Sequence, residues 1–394
     1  MKNSVNTQRI LVSLLVICSL NFFLAKFATA GLLKNAAYAY LLLSIIASFP
    51  FFFRKEGGFV LPVQLICLGV LLSIVMATAY WSQSLSYASS TIPYLVWFVF
   101  FLLLALEFPI AELEKIILAF GILYLVLFFF QFTHNSTVYF GYVEEFKQDR
   151  GVTRINFPGA GIFFLAFFVS LVKFLNKEKF NWPYLIFLMA GVIATVLQVT
   201  RQSIAVILII SLYHVIRNVT PLQRIMVASG AVLIIVVAVN SSNPISKGLL
   251  ETQKETVGEG DNYIRILAAR YFISDFSPNT ITRILGNGFP NNNSTYGQHV
   301  VDLQQVYGFH IADVGLIGLY IMFGVLPLVG YSIIFVKALV AHVPRKYYYI
   351  KYYIWMLLAT ALISDSVFST NFLIATTFVL YVYQVRYERD YASH

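Results

Sequence analysis

Long apolar runs separated by short polar connections recur along the whole chain. Each run approaches the roughly 20 apolar residues that an α-helix needs to cross a hydrocarbon core of about 30 Å. The run Phe59–Met76 is apolar on nearly every face, whereas a strand of a membrane barrel alternates over about ten residues. The pattern predicts an all-α integral membrane protein of about twelve transmembrane helices, a single polytopic domain over residues 1–394. We place the spans at about 10–25, 32–53, 59–80, 92–108, 113–131, 158–175, 182–199, 202–217, 223–240, 312–336, 347–364 and 367–384.

The composition supports this class. Hydrophobic residues make up 59% and charged residues 11% of the 394 residues, whereas soluble domains carry about 25% charged residues. The net charge of +9 requires no nucleic-acid partner, because a basic rim would face anionic lipid head groups. Cys18 and Cys67 both lie in apolar runs and provide neither a disulfide framework nor a metal cluster. We therefore expect no metal and no other cofactor.

Lysine and arginine are concentrated in alternate connections. The other short connections hold only Lys26, Lys34 and Arg201. Because positive charge near helix ends is retained in the cytoplasm, we expect both termini to be cytoplasmic. The alternative for the first span is a cleavable signal peptide, since it is preceded by Lys2 and Arg9 and followed by small residues. The basic connections hold Lys2, Arg9, Arg54, Lys55, Lys115, Lys173, Lys177, Lys179, Arg217, Arg224, Lys337, Arg345, Lys346, Arg386 and Arg389.

Two long polar segments fall on the opposite, extracytoplasmic side. They are a smaller loop at 132–157 and a large loop at 241–311. The middles of the spans are poor in ionisable residues, which usually mark transport pathways. Glu107 and Asp365 lie near span ends, where a solvated side chain is expected. We therefore expect any chemistry to reside at the outer face.

Arginine outnumbers lysine in these outer segments. Its planar fork of donors binds phosphate oxygens in a bidentate way, whereas lysine is a hydrated point charge. The bias favours binding of a pyrophosphate; the alternative is that each arginine pairs with a loop carboxylate such as Glu144 or Asp149. The outer arginines are Arg150, Arg154, Arg201, Arg265, Arg270 and Arg283, against Lys147, Lys247 and Lys254.

Arg201 and Arg265 are the strongest candidates among them. Arg201 lies between two apolar segments so close together that a tight turn must hold it at the membrane surface, where an unpaired charge is costly. Residues 261–273 predict an amphipathic helix with Asp261 as its N-cap. Arg265 lies near the positive N-terminal end of that helix, where anions are favoured. Arg270 points about 140° away from it. The predicted apolar face holds Ile264, Leu267, Ala268, Tyr271 and Phe272.

His310 and Asp313 stand three residues apart at the entry to the tenth span. A histidine accepts a proton near neutral pH, and a nearby carboxylate can orient it. We predict His310, or Asp313 in its place, as the proton acceptor, with His299 as a second histidine candidate. The alternative is that His310 is an amphipathic anchor at the interface.

Four segments together resemble the O-antigen polymerase and ligase superfamily of bacterial glycan assembly: Thr200–Ser203, Tyr263–Phe272, Leu285–Phe289 and His310–Gly318. The resemblance extends to the layout of most of the chain. It implies a GT-C-like, metal-independent glycosyltransferase of the bacterial cytoplasmic membrane, with undecaprenyl-pyrophosphate-linked glycans as donor and acceptor. It also implies that a loop histidine activates the acceptor hydroxyl. The arginines implied to hold the donor pyrophosphate are Arg201 and Arg265, helped by Arg150 or Arg154.

One departure from the family pattern affects the choice of reaction. In the ligase type the histidine stands further before the Gly-x-x-Gly turn, whereas His310 precedes Gly315 by five residues. This favours a polymerase that joins repeat units into O-antigen, capsular polysaccharide or exopolysaccharide, with a flippase and a chain-length regulator as pathway partners. The alternatives are an O-antigen ligase that transfers glycan to lipid A core, a lipid-linked oligosaccharide flippase or transporter, and a scaffolding membrane protein.

Overall fold

The structure is a computed structural model, and it describes residues 2–26, 31–55, 57–141, 147–149, 152–155, 157–175, 181–198, 201–218 and 263–391. Helices predominate among these residues, and their strands form one short antiparallel hairpin, in which Lys147 pairs with Arg154. The strands are β1 (Lys147–Asp149) and β2 (Val152–Arg154). The α-helices are α1 (Lys2–Ser19), α2 (Gly31–Phe52), α3 (Val60–Trp81), α4 (Val99–Ala105), α5 (Ile110–Thr133), α6 (Ala160–Leu175), α7 (Trp182–Leu197), α8 (Arg201–Asn218), α9 (Ile264–Ser274), α10 (Thr280–Leu285), α11 (Thr295–Tyr307), α12 (Leu316–Phe323), α13 (Val325–Val340), α14 (Tyr348–Thr360) and α15 (Thr370–Tyr391). The 3-10 helices are Asn21–Leu24, Leu85–Phe98, Ile311–Val314, Arg345–Tyr347 and Asp365–Val367.

Apolar helices give the fold its class. Among the described residues, α2, α3 and α5 are long and apolar enough to cross a membrane, and shorter apolar helices accompany them. Large apolar side chains also face outward, with Ile46 70% and Ile186 64% exposed. Such an outward apolar surface is compatible with a membrane-embedded protein, whose helices satisfy their own backbone hydrogen bonds. The first helix, α1, packs inside the bundle, since Val12 and Leu15 are fully buried.

Helical segments lie at the positions of eleven predicted spans, and the predicted span 223–240 lies outside the described residues. The prediction of one continuous helix over 312–336 is wrong. Gly324, with φ +82°, separates α12 from α13, and a Cβ there would lie 2.4 Å from the Ile284 carbonyl oxygen. The carbonyls of Ile321 and Met322 instead accept the backbone N–H groups of Asn287 and Gly288, at 2.9 and 2.8 Å. The loop after α10 therefore occupies the break in the helix.

The predicted basic connections meet at one end of the bundle. Lys173 Nζ lies 2.6 Å from Glu114 Oε2, and the Tyr349 hydroxyl donates to Glu114 Oε1 at 2.9 Å. Arg217 donates to the Tyr348 hydroxyl at 2.8 Å. These contacts join the end of α6, the start of α5, the end of α8 and the start of α14. We call this the basic end and define it by these five residues.

The long connections meet at the opposite end, which we call the loop end and define by Trp81, Asn287, Asp313 and Asp365. The Trp81 indole N–H donates to Asn287 Oδ1 at 2.9 Å, which joins the end of α3 to the segment after α10. The backbone N–H of Leu316 donates to the Ala361 carbonyl at 2.7 Å. Gly161, near the start of α6, lies so close to Phe372 that an added Cβ would meet the Phe372 backbone. The start of α6 therefore also lies at this end.

Candidate functional site

The helix predicted around Arg265 is present as α9. It begins at Ile264 and its N-cap is Tyr263, so the prediction that Asp261 caps it is wrong; Asp261 lies outside the described residues. Its buried face is narrower than predicted, because Ala268 and Phe272 are buried while Ile264 is exposed. This face packs against α12 and the 3-10 helix Ile311–Val314. Packing on α12 therefore fixes the helix that carries Arg265.

Arg265 lies next to Asp313 in this arrangement. Its Nη2 atom is 3.8 Å from Asp313 Oδ1, and the two side chains are 35% and 45% exposed. At that distance the contact is electrostatic rather than a hydrogen bond, and an exposed pair of this kind contributes about 0–1 kcal/mol. The guanidinium has five N–H donors. Arg265 therefore lies beside Asp313, and its N–H groups donate no hydrogen bond to the described residues.

His310 stands at the edge of this site. Its side chain is exposed, and its backbone carbonyl accepts the Asp313 N–H at 3.1 Å. Among the hydrogen bonds of the described residues none joins the two side chains, and the ion-pair partner of Asp313 is Arg265. The catalytic role of His310 stays a prediction. His299 stacks on Trp81 and Phe276, with ring centroids 5.6 and 6.1 Å away, which favours a packing role.

Asp365 is a member of the site that the sequence interpretation missed. It begins the 3-10 helix Asp365–Val367, which packs against the 3-10 helix that carries Asp313. Burial is the main reason that its pKa is raised to about 6; the charge of Asp313 adds to the rise, and a hydrogen bond with Ser369 opposes it. Asp365 is half-buried, so the expectation of a solvated side chain near the span end is met only in part. The sequence signal that points to Asp365 is a carboxylate in a connection so short that its side chain must stay close to the helix bundle.

The Gly-x-Gly-Phe turn at residues 286–289 lies at the loop end. Asn287 is fully buried, and its amide donates to Ser277 Oγ at 3.0 Å and to the Ile321 carbonyl at 2.9 Å. Gly286 has φ +85°, and a Cβ there would lie 2.5 Å from the Met322 carbonyl oxygen. The turn thus shapes the site, because the polar groups of Asn287 hold α12 against the end of α3.

The remaining predicted arginines differ in what the structure describes. α8 begins at Arg201 and runs antiparallel to α14, since His214 bonds Tyr352 at 2.6 Å and Arg217 bonds Tyr348 at 2.8 Å. The start of α8 therefore lies at the loop end, although the Arg201 side chain lies outside the described residues. Arg150 lies outside them too, and of Arg154 only the backbone, in β2, is described.

The site thus brings Arg265 together with Asp313 and Asp365 and places the backbone of Arg201 at the same end. Among the described residues no group of three or more His, Cys, Asp and Glu side chains could hold a metal ion. No protein-family model matches the chain, and no curated protein matches it. The resemblance to O-antigen polymerases and ligases therefore rests on the four segments named in the sequence analysis.

Proposed function

We propose that the protein is a membrane glycosyltransferase that polymerises undecaprenyl-pyrophosphate-linked repeat units into O-antigen, capsular polysaccharide or exopolysaccharide. One observation carries the proposal: segments far apart in the chain converge at the loop end. Tyr263–Phe272 lies against His310–Gly318, Leu285–Phe289 fills the break between α12 and α13, and α8 begins at Arg201 at this end. An active site requires such convergence, because reacting groups must be held together in a defined geometry.

The proposal includes an orientation and an architecture. The basic end faces the cytoplasm, which retains positively charged connections, and the loop end faces the outer side of a bacterial cytoplasmic membrane. Both termini are then cytoplasmic, and about twelve spans form a GT-C-like membrane domain. Lipid-linked sugars reach the loop end from the outer leaflet.

In the proposed reaction the arginines bind the donor. Arg265 and Arg201, with Arg150 or Arg154, donate hydrogen bonds to the pyrophosphate oxygens of the growing chain. The acceptor hydroxyl oxygen forms a bond to the anomeric carbon, the bond from that carbon to the pyrophosphate oxygen breaks, and undecaprenyl pyrophosphate leaves with the electron pair. The guanidinium groups stabilise the negative charge that develops on the leaving group. The open donors of Arg265 support this role.

The proton of the acceptor hydroxyl goes to a carboxylate in the proposed mechanism. Asp365 is the best placed acceptor on chemical grounds, because a pKa of about 6 leaves it ionised at neutral pH yet more basic than an ordinary aspartate. Asp313 orients Arg265, and His310 is the alternative proton acceptor at the rim.

Purified full chain, supplied with lipid-linked repeat units and nothing else, tests the proposal against its alternatives. A ladder of products is the result expected of a polymerase. A ligase would leave the units unchanged until a lipid A core acceptor is added, and a flippase would move them across a vesicle membrane without forming a bond. Either of the last two results would overturn the polymerase assignment.

A further inference from the structure

The basic end contains two cavities that differ in their charge balance. One, of about 350 Å³, is lined by Lys173 and Lys346 but also by Glu114, which pairs with Lys173 at 2.6 Å. The other, of about 240 Å³, lies between the ends of α8 and α13 and the start of α14. Its described lining includes Arg217 and Lys351 but no carboxylate. The second cavity therefore holds two positive charges without a counter-ion.

Neutral groups hold the arginine of this cavity in place. The guanidinium of Arg217 donates to the Tyr348 hydroxyl at 2.8 Å and to the Tyr213 hydroxyl at 3.2 Å. Phenol oxygens orient the guanidinium without neutralising it, and Arg217 acts electrostatically on Lys351 across the cavity. Two positive charges that line one cavity favour an anion between them.

Trp355 adds an indole donor beside the two cations. Trp355 lines the cavity, and its indole N–H is buried with no hydrogen-bond acceptor among the described residues. Lys351 and Trp355 stand four residues apart on α14, so they share one face of the helix. A buried N–H without an acceptor is rare in proteins. Two cations and one free indole donor together form a site for an anion with several oxygen acceptors.

Apolar surface leads away from this site. Ile209, 65% exposed, lies four residues before Tyr213 on α8 and so shares its face. Val336 and Val340, 62% and 81% exposed, lie on α13 just before the cavity. An inorganic anion would leave these apolar surfaces uncovered, whereas acyl chains attached to a phosphate would cover them.

We propose that this cavity, lined by Arg217, Lys351 and Trp355, binds the phosphate head group of an anionic phospholipid in the leaflet at the basic end. The phosphate oxygens accept hydrogen bonds from the guanidinium, the ammonium and the indole N–H. The volume of about 240 Å³, well above the roughly 10–15 Å³ that one water molecule needs on the same measure, provides room for a phosphate and part of its glycerol. Basic pockets between membrane helices bind lipid phosphates in this way. The site is independent of the glycan chemistry proposed for the loop end.

The test measures the thermal unfolding midpoint of purified full chain in a neutral detergent while short-chain phosphatidylglycerol is added, since a ligand that binds the folded state raises the midpoint. Phosphatidylcholine with the same chains is the zwitterionic comparison, and inorganic phosphate is the comparison without chains. We expect saturable stabilisation by phosphatidylglycerol only. Equal stabilisation by phosphatidylcholine would overturn the anion site, and stabilisation by inorganic phosphate at similar concentrations would overturn the assignment to a lipid.

Variants locate the site. Arg217→Gln and Lys351→Gln should each weaken phosphatidylglycerol binding by about fivefold, and the double variant by about thirtyfold. Arg345→Gln is the matched control, because Arg345 is exposed at the same end and does not line the cavity. Lys351→Gln keeps the test valid if loss of Arg217 disturbs folding, since Lys351 donates no hydrogen bond to the described residues. Unchanged binding in Lys351→Gln, or equal weakening in Arg345→Gln, would contradict the proposal.

Discussion

The two ends of the bundle use charge in different ways. At the basic end many lysines and arginines surround a few carboxylates: Glu112 alone contacts Arg9 and Lys115. At the loop end one arginine, Arg265, lies against Asp313, with the partly buried Asp365 beside them. An excess of exposed positive charge orients a chain in a membrane and attracts anionic lipid. A small cluster of mixed charge, partly removed from water, changes the basicity of its members. This difference is the reason that we propose the loop end as the place of the chemistry.

The largest effect is expected from Arg265→Gln at the loop end. Loss of the guanidinium should lower the rate of polymerisation by about 10²–10³-fold, because a donor to the leaving group is lost in the transition state. The rate is measured with purified protein and lipid-linked repeat units. Arg270→Gln is the matched control, since Arg270 lies on the same helix and is exposed. Equal loss in both variants would mean that the helix surface, rather than Arg265, matters.

Gly324→Ala should disrupt the packing of the segment after α10 against the break between α12 and α13. Its φ of +82° and the Ile284 carbonyl oxygen at 2.4 Å from an added Cβ lead us to expect a loss of about 3 kcal/mol in the free energy of unfolding. Gly31→Ala is the control, because no atom of another described residue lies within 4 Å of a Cβ there. Denaturant unfolding in detergent measures both. A Gly324→Ala protein as stable as Gly31→Ala would show that the break in the helix is not required.

Asp365→Asn should raise stability at pH 7.5 by about 2 kcal/mol while it lowers activity. The folded-state pKa of about 6 exceeds the ordinary 3.8, so ionisation of Asp365 destabilises the fold above about pH 6, and this penalty disappears as the pH falls below about 4. Unfolding between pH 4 and 8 measures the effect. Wild-type stability should rise on acidification through that range more than that of the variant. Parallel curves would contradict the burial of Asp365.

The smallest effect is expected at the basic end from Lys115→Gln. Its side chain is 63% exposed, so loss of the pair with Glu112 should cost about 0.5 kcal/mol or less and should vanish at high salt. Lys173→Gln is the contrasting variant, because it leaves Glu114, 12% exposed, without its cation. We expect a loss of about 2 kcal/mol there. Equal losses in the free energy of unfolding would contradict the difference that we expect between the exposed and the buried ion pair at this end.

Much of the fold follows from the sequence because membrane helices are long, apolar and self-contained. The spans predicted to end at about 80 and 199 end within two residues of those positions, at Trp81 and Leu197, the last residues of α3 and α7. The break at Gly324 was missed, since only the returning segment with Asn287 and Gly288 supplies donors for the freed carbonyls. A local pattern cannot reveal a partner from a distant segment.

The candidate site likewise contains residues that local sequence reveals and residues that depend on distant segments. Arg265 could be selected from its place on an amphipathic helix, whereas its contact with Asp313 was not predicted. Asp365 could not be selected from the sequence, because its pKa depends on burial and on Asp313. Asp313 lies more than fifty residues away in the chain. Tertiary packing, rather than residue type, determines which carboxylate is unusual.

The most direct test of the central claim, that the glycan chemistry resides at the loop end, is photocrosslinking. Full chain in lipid vesicles is exposed to a lipid-linked repeat unit that carries a photoreactive sugar, and the labelled peptides are mapped by mass spectrometry. We predict label in residues 263–272 and 310–318, reduced in Arg265→Gln and retained in Arg270→Gln. Label concentrated at the basic end, around Arg217 or Tyr348, or spread equally over both ends, would contradict the account.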